Sequence, residues 1–258
     1  MRRLVLAGAC VLAGCSGSSS GPKMADLPEL PAGISVRTLW QADIGPSGDA
    51  VFLPALAADA VYAAAQDGTV ARFDPATGKE AWRSASGQEL SGGVGSDGTL
   101  VAVGTLEGEV IALDAASGEV RWRSRVSSEI LSPPVLTGDL VIVRSADSRV
   151  FALDARDGKR RWVYQRTGPA LAVRSPTGMV ADRGYLFTGF AGGKLVSIAL
   201  ANGGLRWEAT VSLPRGATEL ERVTDVVGLP VVSDREACAV AYQGRVACFD
   251  VVNGNPLW

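Results

Sequence analysis

The sequence predicts an all-β chain of tandem four-stranded antiparallel units, and three observations predict it. Six tryptophans stand at positions 40, 82, 122, 162, 207 and 258, at intervals of 42, 40, 40, 45 and 51 residues. A period in that range marks one supersecondary unit per repeat. The residues before each of the last five tryptophans repeat as well: GTVARFDPATGKEAW (68–82), GEVIALDAASGEVRW (108–122), SRVFALDARDGKRRW (148–162), GKLVSIALANGGLRW (193–207) and GRVACFDVVNGNPLW (244–258). Inside each repeat the apolar residues alternate with period two, as Val110 and Ala112 or Val150 and Ala152 do, which is the pattern of a strand.

Each column has a mechanical reading. After the alternating strand comes Asp-x-x-(Thr/Ser/Asp/Asn)-Gly, with Asp74, Asp114, Asp154 and Asp250 eight residues before the tryptophan and Ala199 as the exception. An Asp there can bond the backbone N–H two residues on. The glycine four residues before the tryptophan (Gly78, Gly118, Gly158, Gly203, Gly254) takes the positive φ that the turn requires. The tryptophan then begins the next strand and covers its neighbour, burying roughly 150–250 Å². An earlier hairpin tip, Gln66-Asp67-Gly68 in the first repeat, completes four short strands with no room for a helix. Such a unit of about 40–45 residues is what a β-propeller blade requires, and a stacked solenoid is the weaker alternative. Trp82, Trp122, Trp162, Trp207 and Trp258 are read as structural core, because a ligand-binding aromatic box would break the symmetry instead of recurring at one phase.

Composition narrows the class. The chain has 258 residues, 47% apolar and 20% charged, with a net charge of −2, enough for a sizeable core in one repeat-built domain. A pI near 5.3 without a basic stripe gives no electrostatic case for nucleic acid.

There is no histidine, which removes Ser-His-Asp triads and His-ligated zinc, and no Cys-x-x-Cys pair. Ser91-Gly92-Gly93-Val94-Gly95 is followed by no Gly-Lys-(Ser/Thr), so it is not a phosphate loop. No carboxylate pair suits acid–base work and no metal-ligand set can be assembled, so neither a cofactor nor a metal is expected.

The N-terminus reads as a targeting segment. Arg2 and Arg3 precede an apolar stretch, Leu4 to Ala13, too short to span a bilayer. It ends in Leu12-Ala13-Gly14-Cys15, which looks like a bacterial lipobox. That resemblance implies a signal peptide over 1–14, acylation of Cys15 and, with Ser16 following, an outer-membrane address. Two or more acyl chains make such anchoring stable. Residues 15–34 are then the lipidated cysteine and a Ser/Gly-rich flexible tether, and residues 35–258 the propeller.

Cys238 and Cys248 flank the hairpin tip Gln243-Gly244. If Gly244 closes a three-residue loop in the left-handed conformation, residues 241 and 245 pair. Cys238 and Cys248 then stand opposite each other at a non-hydrogen-bonded pair, where a disulfide fits. A two-residue loop would shift the register by one, and two small buried hydrophobes remain the alternative.

The repeat resembles the pyrroloquinoline-quinone-type propeller repeat, close to G-x-hydrophobic-x-Ala-Leu-Asp-x-x-(Thr/Ser)-Gly-x-x-x-Trp. Glu109–Trp122 and Arg149–Trp162 match it almost column for column. The resemblance covers about residues 38–258 and specifies the fold, not quinone binding. Quinoprotein dehydrogenases share it, which leaves a periplasmic quinone-dependent dehydrogenase or quinone-binding module as the alternative function. Those enzymes use a calcium or lanthanide ion and commonly a vicinal Cys-Cys pair, and this chain has no adjacent cysteines.

The repeat lengthens after Trp162 and Trp207, where Tyr164–Met179 and Leu213–Val232 read as long loops on neighbouring blades, the usual carriers of binding surfaces. With the lipobox, the tether and the Glu-Leu-Glu-Arg-Val-Thr-Asp-Val run, these segments resemble the BamB family of outer-membrane β-barrel assembly lipoproteins. The resemblance implies an eight-bladed propeller, docking on the periplasmic domains of the barrel-forming subunit BamA, and help in inserting outer-membrane proteins, whose unfolded strands are further candidate partners. The family's docking patch maps onto Leu171-Ala172-Val173-Arg174 and Asp225-Val226-Val227, the latter lacking its second acid. Leu171 and Val173 are expected as apolar anchors and Arg174 and Asp225 as orienting charges. The competing reading puts the leucine and valine in the core and leaves Arg174 merely solvated. Against eight blades this chain holds about five, and a full ring would need roughly 120 to 150 further residues. The expectation is a partial ring ended early, imperfectly closed, and not a closed five-bladed ring.

Overall fold

The computed structural model describes residue 33 and residues 35–258, apart from residue 58; the 1–14 signal segment and Cys15 lie outside them. The chain divides into two units, Met1–Thr38 and Leu39–Trp258. The second holds every strand, and no helix is formed among the described residues.

Nineteen strands form five antiparallel sheets in chain order. Blade 1 is β1 (Ala55–Ala57), β2 (Ala60–Ala64), β3 (Thr69–Phe73) and β4 (Glu80–Ala85). Blade 2 is β5 (Gly92–Ser96), β6 (Leu100–Gly104), β7 (Glu109–Asp114) and β8 (Val120–Arg125). Blade 3 is β9 (Val135–Thr137), β10 (Leu140–Ser145), β11 (Arg149–Asp154) and β12 (Arg160–Gln165). Blade 4 is β13 (Met179–Asp182), β14 (Tyr185–Phe190), β15 (Lys194–Ala199) and β16 (Leu205–Thr210). Blade 5 is β17 (Val226–Val232), β18 (Glu236–Ala241) and β19 (Val246–Asp250). Beside β19 a single antiparallel bridge pairs Phe249 with Pro256. The first strands of consecutive blades touch one another, which places them innermost, as in a propeller and not a solenoid.

Packing runs between consecutive blades, and no comparable packing joins blade 5 to blade 1 among the described residues, so the blades form an open arc. The core is accordingly divided into four layers, one per blade–blade interface. Between blades 2 and 3, for example, Ala102, Val110, Ala112 and Trp122 meet Val141, Val143, Phe151 and Leu153. Alternation along each strand sends successive residues into the two flanking layers, which is why the central strands are buried on both faces.

The turn and the tryptophan act as a clasp between blades. Asp114 Oδ1 accepts the N–H groups of Ala116 (2.9 Å) and Ser117 (2.8 Å), so it caps donors two and three residues on. Hydrogen bonds from the Arg121 guanidinium and the Ser117 amide lower the carboxyl pKa of Asp114 to about 2. Gly118 follows with φ +75°, and a Cβ there would lie 2.7 Å from the indole of Trp82 in the preceding blade. The glycine therefore serves two needs, the left-handed turn and the close approach of an aromatic ring. The same indole donates from Nε1 to the Ala115 carbonyl at 3.1 Å. Trp40, Trp122, Trp162 and Trp207 repeat this onto Pro75, Ala155, Leu200 and Val251. The sequence had each tryptophan covering a neighbour without saying which; the structure has it gripping the next blade. Trp258 departs from the expected core role. It is 69% exposed, because no further blade packs on that face in the described residues.

In blade 5 the expected register holds. Ala241 and Arg245 pair across a three-residue loop, and Cys238 faces Cys248 with Cα atoms 4.1 Å apart and sulfurs at bonding distance. The left-handed residue is Gln243 (φ +48°), not Gly244. Oxidation would close a loop of about eleven residues, worth about 2–3 kcal/mol by loss of unfolded-state entropy. Reduction, or Cys238→Ser, is expected to lower the unfolding free energy read from urea denaturation by that amount, seen as a lower midpoint. An unchanged midpoint under strong reductant would show that the pair contributes nothing as a cross-link.

Candidate docking site

The two lengthened segments are consecutive crossovers. One, residues 166–178, leads from β12 to β13, and the other, residues 211–225, from β16 to β17. Both are shorter than the sequence suggested: Tyr164 and Gln165 complete β12, Met179 opens β13, and Val226–Val232 are β17. Val226 is buried in the layer between blades 4 and 5, and Val227 pairs with Val240.

The crossovers meet at Asp225. Its Oδ2 accepts the Val173 N–H at 2.6 Å and its Oδ1 the Gly192 N–H at 2.9 Å, while its carbonyl accepts the Tyr242 N–H at 2.8 Å. One residue thus ties the first crossover to the hairpins of blades 4 and 5. A second tie lies below it, where the Gly178 N–H bonds the Gly228 carbonyl at 2.9 Å and Leu229 covers Gly178 so closely that a Cβ would meet it at 2.7 Å. This corrects one expectation. Asp225 is not a surface charge but is 4% exposed, and both carboxylate oxygens are already engaged. Its part in any docking is to position residues 171–174.

What the tied loop presents is Leu171, 44% exposed, and the exposed side chain of Arg174, with Val173 half-buried between them. The reading that put Leu171 in the core therefore fails, and that for Val173 holds in part. Arg174 Nη2 lies 3.4 Å from Glu129 Oε1, a long, solvent-screened pair that leaves most of the guanidinium available. On either side of Arg174 are two depressions of about 200 and 160 Å³ that share Arg174 and Leu131. The larger extends to Val51 and Leu106, both exposed. An apolar rim around a tethered, singly paired arginine is suited to protein recognition.

Arg144 was missed by sequence reasoning. It reaches the smaller depression from β10, its Nη1 donating to Thr188 Oγ1 at 3.0 Å and to the Gly189 carbonyl, with its guanidinium 4.5 Å from the centroid of Phe190. Burial lowers its pKa to about 10, opposed by the nearby Asp225 charge, so it stays cationic at neutral pH. A signal was available: the same slot holds Ala64, Gly104, Gly189 and Val240 in the other blades.

As to metals, Glu236, Cys238 and Cys248 are the one group of ligand-type side chains that converge among the described residues, and their two sulfurs lie at bonding distance of each other. Paired that way they offer no thiolate.

Residues 66–258 match the family model described as outer membrane protein assembly factor BamB. The chain belongs to the BamB family. The BamB of Bordetella pertussis is 47% identical over 259 residues, covering 99% of this chain and 67% of its own length. That of Nitrosomonas eutropha is 47% identical over 234 residues, covering 91% and 57%. The chain thus spans between about half and two thirds of these BamB relatives. The crystal structure of BamB from Moraxella catarrhalis superposes with a TM-score of 0.73 at 30% identity, over 80% of this chain and 62% of that one. A quinohemoprotein alcohol dehydrogenase from Comamonas testosteroni reaches a TM-score of 0.63 at 18% identity, over 79% of this chain and 42% of that one, a likeness of fold alone.

Proposed function

We propose that this chain is a non-enzymatic scaffold that docks on the periplasmic domains of BamA and supports insertion of outer-membrane proteins. The observation that carries the reading is the convergence at Asp225, which holds Leu171 and Arg174 on the surface in one fixed arrangement. A rigid display of one apolar and one cationic group loses little entropy on binding and selects partners by charge. The names of its relatives, outer membrane protein assembly factor, support the same setting. In this reading Cys15 carries the lipid, the anchor holds the propeller at the periplasmic face of the outer membrane, and unfolded barrel strands are secondary partners.

The test is co-purification of BamA from detergent-solubilised envelopes with the parent and with the Leu171→Asp, Arg174→Glu double variant. Both residues are exposed, so the variant keeps the parent's melting temperature within a degree or two while losing BamA. If the variant retains BamA at the parent's level, docking does not run through this loop.

A further inference from the structure

Blade 3 breaks the repeat at one interior position. In the second strand of each blade, the slot one residue before the hairpin carries Ala64, Gly104, Gly189 and Val240, and in blade 3 it carries Arg144. An arginine there, in a slot that is uncharged in every other blade, brings a positive charge beside Thr188 and Gly189 of the next blade.

The guanidinium is held but not neutralised. Its recorded bonds leave through Nη1 alone, to the Gly189 carbonyl and Thr188 Oγ1, and Phe190 supports its face. Among the described residues it makes no salt bridge, its Nε and Nη2 bond no other protein group, and it lines the 160 Å³ cavity. Asp225 lines the same cavity, but its two oxygens are taken by Val173 and Gly192. Arg174 stands at the mouth with its long contact to Glu129. The cavity is therefore rich in donors, with two guanidiniums and no carboxylate bonded to Arg144 among the described residues, although the Asp225 charge lies nearby.

We propose that this cavity receives an aspartate or glutamate side chain of the docked protein, with Arg144 as the buried counter-charge and Arg174 closing over it. This deepens the docking reading above and rests on it. A planar guanidinium fixed at one end offers a carboxylate a preformed two-point contact, and a carboxylate is the group that complements an unpaired, partly desolvated arginine. Truncating one partner of such a buried pair weakens binding strongly, whereas rim charges act mainly on the association rate.

The experiment measures binding of the full chain to purified BamA periplasmic domains by titration calorimetry at several salt concentrations. The parent, Arg144→Met, Arg144→Lys and Leu171→Asp are compared, with thermal melts of each. Because the slot is apolar in every other blade, Arg144→Met is expected to fold. It should weaken binding at least tenfold, while Arg144→Lys, which keeps the charge, should weaken it less. Parent-like affinity in Arg144→Met, or a loss in Arg144→Lys equal to that in Arg144→Met, overturns the carboxylate pocket. The Leu171→Asp arm separates the two readings. If the parent binds and Leu171→Asp binds equally well, the docking patch itself is wrong; if Leu171→Asp abolishes binding and Arg144→Met does not, only the pocket is wrong. A parent that does not bind at all overturns both.

Discussion

Asp225→Ala is expected to release residues 171–174 from the propeller and to abolish docking without unfolding the blades. The substitution removes two hydrogen bonds to a buried carboxylate, at 2.6 and 2.9 Å. Bonds to a charged group contribute about 1.5–3 kcal/mol each, and the Val173 and Gly192 N–H groups are left to find water. The loss, about 3–6 kcal/mol for the two bonds, falls on local order, because the crossover can lift away while the inter-blade layers stay intact. The measurement is amide hydrogen exchange. Protection at Val173 and Gly192 should drop by about two to four orders of magnitude, with protection at core residues such as Ala102 and Val141 retained. If Val173 stays protected in the variant, Asp225 is not the tie and the positioning account fails. Arg174→Glu, by contrast, should weaken docking with exchange at Val173 unchanged, since its side chain makes only the long contact to Glu129.

The second large effect concerns the clasp. Trp122→Ala removes a side chain that is 8% exposed, that grips Gly158 of the next blade and that donates to the Ala155 carbonyl at 2.8 Å. A buried tryptophan truncated to alanine costs about 3–5 kcal/mol, from lost burial and the cavity left behind. Trp258→Ala deletes the same residue at the same phase of the repeat, but from a position 69% exposed, and should cost less than about 0.5 kcal/mol. Urea unfolding of the two variants beside the parent checks the contrast. Similar losses at the two sites would mean that the repeat tryptophans act within their own units and not between blades.

That contrast shows how far the sequence could be read. The tryptophan period, the Asp turn and the two-residue alternation gave the strand order and the number of units, because those features are local and recur in every blade. The facing of Cys238 and Cys248 was also readable, since a three-residue hairpin loop fixes register over the next few pairs. The direction of the clasp was not. Which glycine lies beneath Trp82 is a contact between residues 82 and 118, and nothing local distinguishes it from a contact inside the unit.

The docking site divides in the same way. Sequence located both crossovers from their added length and named Leu171, Val173, Arg174 and Asp225. By its resemblance to the family's docking patch it assigned Asp225 a surface role as an orienting charge. The fold instead brought two amide donors, 52 and 33 residues away in sequence, onto its oxygens. It also carried Arg144 in a strand of blade 3 to the same cavity, although 81 residues separate it from Asp225. The sequence by itself determined the blades and the segments that break their symmetry, since both are written in short-range pattern. Only the tertiary structure decided which charges are displayed and which are buried, because burial depends on what neighbouring blades place around each group.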